Sequence, residues 1–226
     1  MTRPRLCVAT RNAHKLEELR ALLADLDVEL VSAADVPGVP EVEEDALTLE
    51  GNAEKKARWV AAAAGCIALA DDTGLEVDAL GGEPGVYSAR WAGPDCSFAD
   101  NNKKLLHELS DLPEKHRTAR FRCVIAVAVP PSQDGEFAAR VENCSVTLHE
   151  GRVLGRIIDN LRGANGFGYD PVFFVFEKQR TLAELSLAEK NEVSHRARAL
   201  AAARPALVAA LAARGSTPAG PSAGGA

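Results

Sequence analysis

Cys66-Ile67-Ala68-Leu69-Ala70-Asp71-Asp72-Thr73-Gly74 runs from small apolar side chains straight into two carboxylates, a hydroxyl and a glycine. A short apolar run that stops on charge predicts a buried strand whose end lies at a functional site. Adjacent aspartates repel, and the usual remedy is a cation or a shared proton. The pair therefore points to a hard metal ion, with a solvated Asp-Asp-Thr-Gly turn as the alternative.

Working outward, Leu6-Cys7-Val8-Ala9 predicts a strand that passes through Thr10-Arg11-Asn12 into a helix from Ala13 to Ala24, where Leu16, Leu19, Leu22 and Leu23 recur at helical spacing. Val28 to Val31 reads as a second strand, Pro37 to Asp45 as an irregular acidic loop, and Glu50 to Ala64 as an alanine-rich helix. On the other side, Leu75 to Leu80 reads as a strand, Gly81 to Gly85 as a turn and Ser97 to Leu109 as a helix. Ala119 to Val129 and Phe137 to Leu148 suit two strands of a hairpin with a long Pro130-to-Gly135 connection. Pro171 to Phe176 reads as an apolar strand, and Glu189 to Arg214 as a helix interrupted at Pro205. Residues 1–214 suit one sizeable α/β domain or two closely packed lobes, followed by a Gly, Pro, Ser and Ala tail over 215–226 expected to be disordered.

Composition narrows the function. A chain of 226 residues with 46% hydrophobic side chains can bury a sizeable core. A net charge of −6 opposes broad affinity for nucleic acid or anionic membrane, so any polyanion must meet a local basic cluster. No stretch approaches the ~18 apolar residues of a membrane span, and no cleavable leader pattern opens the chain, so a cytoplasmic protein is expected. The five cysteines are scattered without a Cys-x-x-Cys pair and read as small buried residues.

Thr10-x-Asn12-x-x-Lys15 places a hydroxyl, an amide and an ammonium where a strand enters a helix, and free N–H groups there attract anions. Either Lys55 or Lys56 can reach back toward Asp71-Asp72 from the long helix, whereas Gly81 to Gly85 lacks the Gly-Lys-Ser/Thr ending of a P-loop. Gly166-Phe167-Gly168-Tyr169-Asp170-Pro171 frees the backbone around two aromatic rings on which a flat ligand could stack. Lys190 and Ser194-His195-Arg196 add donors suited to a base edge or a phosphate. A Ser-His-Asp hydrolase fits less well, because there is no Gly-x-Ser-x-Gly elbow.

These motifs, with Glu44, Asn52-Ala53-x-x-Lys56-Ala57, Gly85-Val86-Tyr87-Ser88-Ala89-Arg90 and Glu189-Lys190-Asn191, resemble the inosine triphosphate pyrophosphatase family and its bacterial branch, in family order across residues 5–200. The resemblance implies a long twisted mixed β-sheet flanked by helices, two lobes with a nucleotide-binding cleft between them, and a homodimer. It implies Mg2+-dependent hydrolysis of ITP, dITP, XTP or dXTP to the monophosphate and pyrophosphate, which clears damaged purines from the nucleotide pool. Carried over by motif, Thr10, Arg11, Asn12, Ala13, His14 and Lys15 would grip the triphosphate, and Lys56 would meet phosphate. Glu44 and Asp72 would engage Mg2+, Asp72 would also be the general base, and Asp71 is a further metal candidate. Thr73 would touch substrate at a position more often Ser. Phe167, Gly168, Tyr169, Asp170, Lys190, His195 and Arg196 would form the nucleoside pocket. Glu44-Asp45-Ala46 departs from the family's Glu-Thr-Gly, which brings Glu43 in as a substitute for Glu44.

The chemistry of the substrate agrees with these residue types. A triphosphate with Mg2+ needs lysines for charge and carboxylates for the metal. Hypoxanthine and xanthine present an acceptor oxygen at C6 where adenine presents a donor, so Arg196 or a backbone N–H facing that atom would favour ITP over ATP. A phosphoaspartate phosphatase is the competing enzyme, although its Asp-x-Asp-x-Thr spacing is absent; a catalytically silent nucleotide-binding module is the competing non-enzyme.

Overall fold

The computed structural model describes residues 3–39, 41–132 and 135–215. Strands β1 (Arg5–Val8) and β2 (Glu29–Ser32) flank helix α1 (Ala13–Leu22), and helix α2 (Leu49–Ala64) leads into strand β3 (Ile67–Val77). Strand β4 (Pro84–Gly85), helix α3 (Phe98–Glu108), strand β5 (Thr118–Val129), helix α4 (Phe137–Glu142) and strand β6 (Ser145–Ile157) follow. Strands β7 (Phe173–Val175) and β8 (Arg180–Thr181), then helices α5 (Leu187–Val193) and α6 (His195–Gly215), complete the chain. The strands form one mixed sheet in the order β2-β1-β3-β5-β6-β7-β8, with β4 on β3. β1 is parallel to β2 and β3, and the remaining pairs are antiparallel.

Side-chain alternation along β3 explains how the layers form. Ala68 and Ala70 face α2, packing with Ala53, Ala57, Val60 and Ala61. Ile67 and Leu69 face the opposite side, against Leu19 of α1 and Ala199, Leu200, Ala203 and Leu207 of α6. A third cluster lies farther along the sheet, where Leu75, Val77 and Phe121 meet Leu105, Val172 and Phe173. Because successive strand side chains point to opposite faces, Asp72 continues the α2 face and Asp71 the α1/α6 face.

Several expectations change. The strand does not end at Asp71 but runs through the Asp-Asp-Thr-Gly sequence to Val77, because β5 pairs with it along that length (Asp71↔Ile125, Asp72↔Val124). Leu75 to Leu80 is therefore the end of β3 followed by a 3-10 turn over Asp78–Leu80. Phe137 to Leu148 is not one β run: Phe137–Glu142 is helical, its alanines favouring that state, and the strand begins only at Ser145. The last helix breaks at Ser194, whose extended backbone and hydroxyl cap α6, and it continues through Pro205. Burial of Leu200, Ala203, Leu207 and Leu211 against the sheet keeps the chain helical across the proline. Cys96 is part-exposed, whereas the other four cysteines are buried as expected. Gly215 closes α6, and the disordered tail expected over 215–226 otherwise lies outside the described residues. No described helix is long and apolar enough to cross a membrane.

Candidate active site

Asp72 is the meeting point of α2, β3 and the acidic loop. Lys56, buried on α2, donates to Asp72 Oδ1 at 3.1 Å, Glu44 Oε1 at 2.9 Å and the Asp71 carbonyl at 2.8 Å, which uses all three ammonium hydrogens. Asn52, one helical turn earlier, donates to Asp72 Oδ2 at 3.3 Å and accepts from Ala46 N at 2.9 Å, fastening the acidic loop to the strand. Arg90 Nη2 adds a second fastening through the Glu44 carbonyl at 3.1 Å. Of the two candidate lysines Lys56 is the one that reaches in; Lys55 pairs with Asp45 at the surface.

The charges at this point are not balanced equally. Burial and the Glu44 carboxylate raise the Asp72 pKa against the pull of Lys56 and Lys15. Burial also acts to raise Glu44, but Lys56 beside it outweighs burial and holds its carboxyl below the ordinary value. Two carboxylates under mutual repulsion beside an open cavity suit a hard divalent cation. Mg2+ binds through one or two carboxylates when phosphate oxygens and waters complete its shell. Among the described residues no three His, Cys, Asp or Glu side chains gather into a metal cage.

Asp71 occupies a different setting on the other face. Its Oδ2 accepts from Lys15 at 3.1 Å, from Arg196 Nε and Nη2 at 3.1 and 3.0 Å, and from Thr73 Oγ1 at 3.3 Å. Arg196 is fully buried and also donates through Nη1 to Glu18 and through Nη2 to Thr73. Four of its five N–H groups are thereby committed. Glu18 passes the chain of charges to Lys190 at 2.6 Å, and Lys190 to Asp170 at 2.7 Å. Asp170 in turn accepts the Phe167 N–H at 3.0 Å, and a Cβ at Gly166, whose φ is +75°, would fall 2.1 Å from that carboxylate. One ionic network on the α1/α6 face thus runs from the first helix to the aromatic loop.

A cavity of about 290 Å³ opens where these elements meet. Thr10, Arg11, Asn12, Lys15, Glu44, Lys56, Asp72 and Thr73 line it together with Phe167, Gly168, Tyr169, Asp170, Lys190, His195 and Arg196. The expected site residues outside its wall are Ala13, His14 and Asp71, and Glu43 is absent from the wall as well. Asn12 caps α1 by accepting from His14 N and Lys15 N at 3.0 and 3.2 Å. The His195 ring stacks on Phe121 with centroids 4.8 Å apart, and its buried Nδ1 has no partner. Burial, then Arg196 and Lys190, push its pKa well below the ordinary value, so the ring is neutral. Tyr169 Oη donates to the Ser88 carbonyl at 3.0 Å, and Asn102 Nδ2 on α3 donates to the Gly168 carbonyl at 2.8 Å, so the aromatic loop is held from two sides.

Sequence reading missed Glu18, Arg90 and the amide roles of Asn52 and Asn102. Glu18 had a signal: it lies next to Leu19 on the buried stripe of α1, where a carboxylate needs a cationic partner. Arg90 and Asn102 act through distant backbone carbonyls, which spacing does not reveal.

A model of the Ham1 family matches residues 6–206. A dITP/XTP pyrophosphatase of Geobacter sulfurreducens is 52% identical over 197 residues, covering 87% of this chain and 93% of that protein. One of Desulforamulus reducens is 48% identical over 196 residues, covering 87% and 92%. Among solved structures, a HAM1 protein from Coxiella burnetii superposes with a TM-score of 0.78 at 37% identity, covering 91% of this chain and 99% of that one. A nucleoside-triphosphatase, dITP/XTP pyrophosphatase, from Mycobacterium abscessus gives 0.67 at 44% identity, covering 89% and 99%. Sequence, fold and span agree over nearly the whole described chain, and the resemblance read from the motifs is borne out: the chain belongs to the Ham1 family.

Proposed function

We propose that this chain is a nucleoside triphosphate pyrophosphatase that hydrolyses ITP, dITP, XTP and dXTP to the monophosphate and pyrophosphate with Mg2+, as a cytoplasmic homodimer. The observation that carries the reading is the single cavity wall shared by Lys15, Lys56, Glu44 and Asp72 with Phe167, Lys190 and His195. A polyanion and a flat heterocycle are accommodated by one continuous surface. In this reading Lys15 and the Asn12-capped start of α1 hold phosphate oxygens, and Asp72 takes the proton from the attacking water. Mg2+ held by Glu44 and Asp72 would neutralise charge on the phosphate oxygens. Lys56 keeps the two carboxylates in place through two of its bonds and is itself anchored to the Asp71 carbonyl by the third.

The test is a screen of nucleoside triphosphates with the purified protein and Mg2+, following monophosphate, pyrophosphate and orthophosphate. Inosine and xanthine triphosphates are expected to release pyrophosphate, and chelation of the metal to stop it. Orthophosphate as the product, or no turnover of ITP, would overturn the proposal.

Base selection falls on groups with a free hydrogen-bonding atom. Arg196 retains one N–H, whereas the neutral His195, a residue of the cavity wall, has a buried Nδ1 without a partner. His195→Phe preserves a flat ring on Phe121 and removes both nitrogens. The ratio of kcat/KM for ITP over ATP is expected to fall about 10-fold in this variant. An unchanged ratio would remove His195 from base reading.

A further inference from the structure

We infer that His14 is a positioning residue that backs the Phe167 ring from outside the cavity, and so sets the plane on which the purine stacks. The inference rests on the proposed function and assigns His14 to the base platform instead of the triphosphate grip.

Four observations converge on it. The His14 and Phe167 rings lie nearly parallel, with centroids 5.2 Å apart and an interplanar angle of 14°. Phe167 lines the cavity, whereas His14 is exposed and does not. The cations within reach of Phe167, Lys190 Nζ at 5.1 Å and Arg196 Cζ at 5.9 Å from its centroid, both belong to residues of the cavity wall. Finally, Phe167 sits between Gly166 and Gly168, whose φ values of +75° and +65° belong to the left-handed region. The backbone around these glycines is fixed by the bonds from Phe167 N–H to Asp170 and from Asn102 to the Gly168 carbonyl, so what is left to be held by side-chain contacts is the plane of the Phe167 ring.

The spacing decides which side of Phe167 is open to a base. A purine between two aromatic planes needs two van der Waals layers, roughly 7 Å in all. The 5.2 Å separation from His14 excludes it. A base therefore stacks on the face of Phe167 away from His14, with His14 as the fixed layer behind, and displaces whichever of Lys190 Nζ, Arg196 Cζ and the Phe98 ring, 5.1, 5.9 and 6.0 Å from the Phe167 centroid, covers that face. The His14 backbone N–H is also engaged, donating to Asn12 Oδ1 at 3.0 Å as part of the α1 cap. His14 thereby joins the start of α1, whose next residue Lys15 faces the phosphates, to the loop that carries the base. Binding of either half of the nucleotide then finds the other half's support already in place.

The experiment compares the wild type with His14→Ala, His14→Gln and His14→Phe, checking each by its melting curve. Calorimetry measures the affinity for inosine monophosphate, which carries the base, and for inorganic tripolyphosphate, which does not. Ala and Gln are expected to weaken the monophosphate roughly 3- to 10-fold, and Phe to restore it to within about 2-fold. Tripolyphosphate affinity is expected to stay the same in all four proteins. In turnover the loss falls on KM for ITP more than on kcat. Weakened tripolyphosphate binding, or rescue by Gln where Phe fails, would return His14 to the phosphate grip and overturn the inference. So would an unchanged monophosphate affinity in His14→Ala. Both ligands are read by binding, so a wild-type protein that turns over no ITP would refute the proposed function and leave the His14 comparison readable.

Discussion

Asp72→Asn is expected to lower pyrophosphate release from ITP by roughly a thousandfold, the scale of a lost general base, while the melting temperature stays level or rises. The two halves of that expectation have one cause. Asp72 is buried beside Glu44, and burial and that second carboxylate raise its pKa despite Lys56 and Lys15. A carboxyl whose pKa is raised in the folded state is one whose charge the fold disfavours, so a neutral isostere relieves the folded protein at neutral pH. Lys56 is not orphaned by the change, since it keeps Glu44 Oε1 and the Asp71 carbonyl. What the amide cannot do is accept the proton of water or bind a divalent cation with charge. Steady-state turnover with Mg2+ and a thermal melt of the same preparation check both halves. Activity near that of the wild type would remove Asp72 as the base. A melting temperature lowered by more than a few degrees would mean that its charge supports the fold.

How far these roles could be read from sequence follows from where each residue's partners lie. Leu6 to Ala9, the helix after it, α2, α3 and β5 are legible because apolar periodicity and end signals are local, and the structure has all of them close to the expected bounds. The interruption at Asp71 was misread for the opposite reason. Charge in a strand looks like its end unless one knows that Lys15, Lys56 and Arg196, 56, 15 and 125 residues away, neutralise it. The Phe137 to Leu148 segment failed where six helical residues carried too little periodicity to separate them from the strand that follows. At the site, Lys15, Lys56, Asp72 and Phe167 were found from residue type and motif, and all four line the cavity. Arg196, or a backbone N–H, was read as the base donor because hypoxanthine and xanthine present an acceptor oxygen at C6. Its commitments to Asp71, Glu18 and Thr73 depend on three other elements folding around it. Strand alternation did carry one clue that went unused. Two consecutive residues of a strand cannot face the same way, so adjacent aspartates within one imply different environments.

Asp71→Asn should then behave as the mirror image of Asp72→Asn, with stability lost first and activity lost as a consequence. Burial alone would raise the Asp71 pKa, but Lys15, then Arg196 and Lys56, outweigh it and hold the carboxyl well below the usual carboxylate range. Arg196 is fully buried, so neutralising Asp71 leaves its guanidinium with Glu18 as the one remaining carboxylate partner among its contacts. Removing one partner of a buried pair costs on the order of 3 kcal/mol or more. For a domain of this size that is a drop in melting temperature of roughly 10 °C. The pH dependence has a definite sign. A depressed folded-state pKa gives stability that is present above the unfolded value of about 3.9 and is lost as pH falls below it toward the folded value. The stability gap between wild type and Asp71→Asn should therefore be widest near neutrality and narrow progressively below about pH 4. Denaturant melts of both proteins at pH 7 and at pH 3 make the comparison. A variant that melts within about 2 °C of the wild type at pH 7, or a gap that persists undiminished at pH 3, would show that Asp71 does not anchor the network. Loss of ITP turnover at a temperature where the variant is still folded would further show that Lys15 and Arg196 need this carboxylate to hold their places at the cavity.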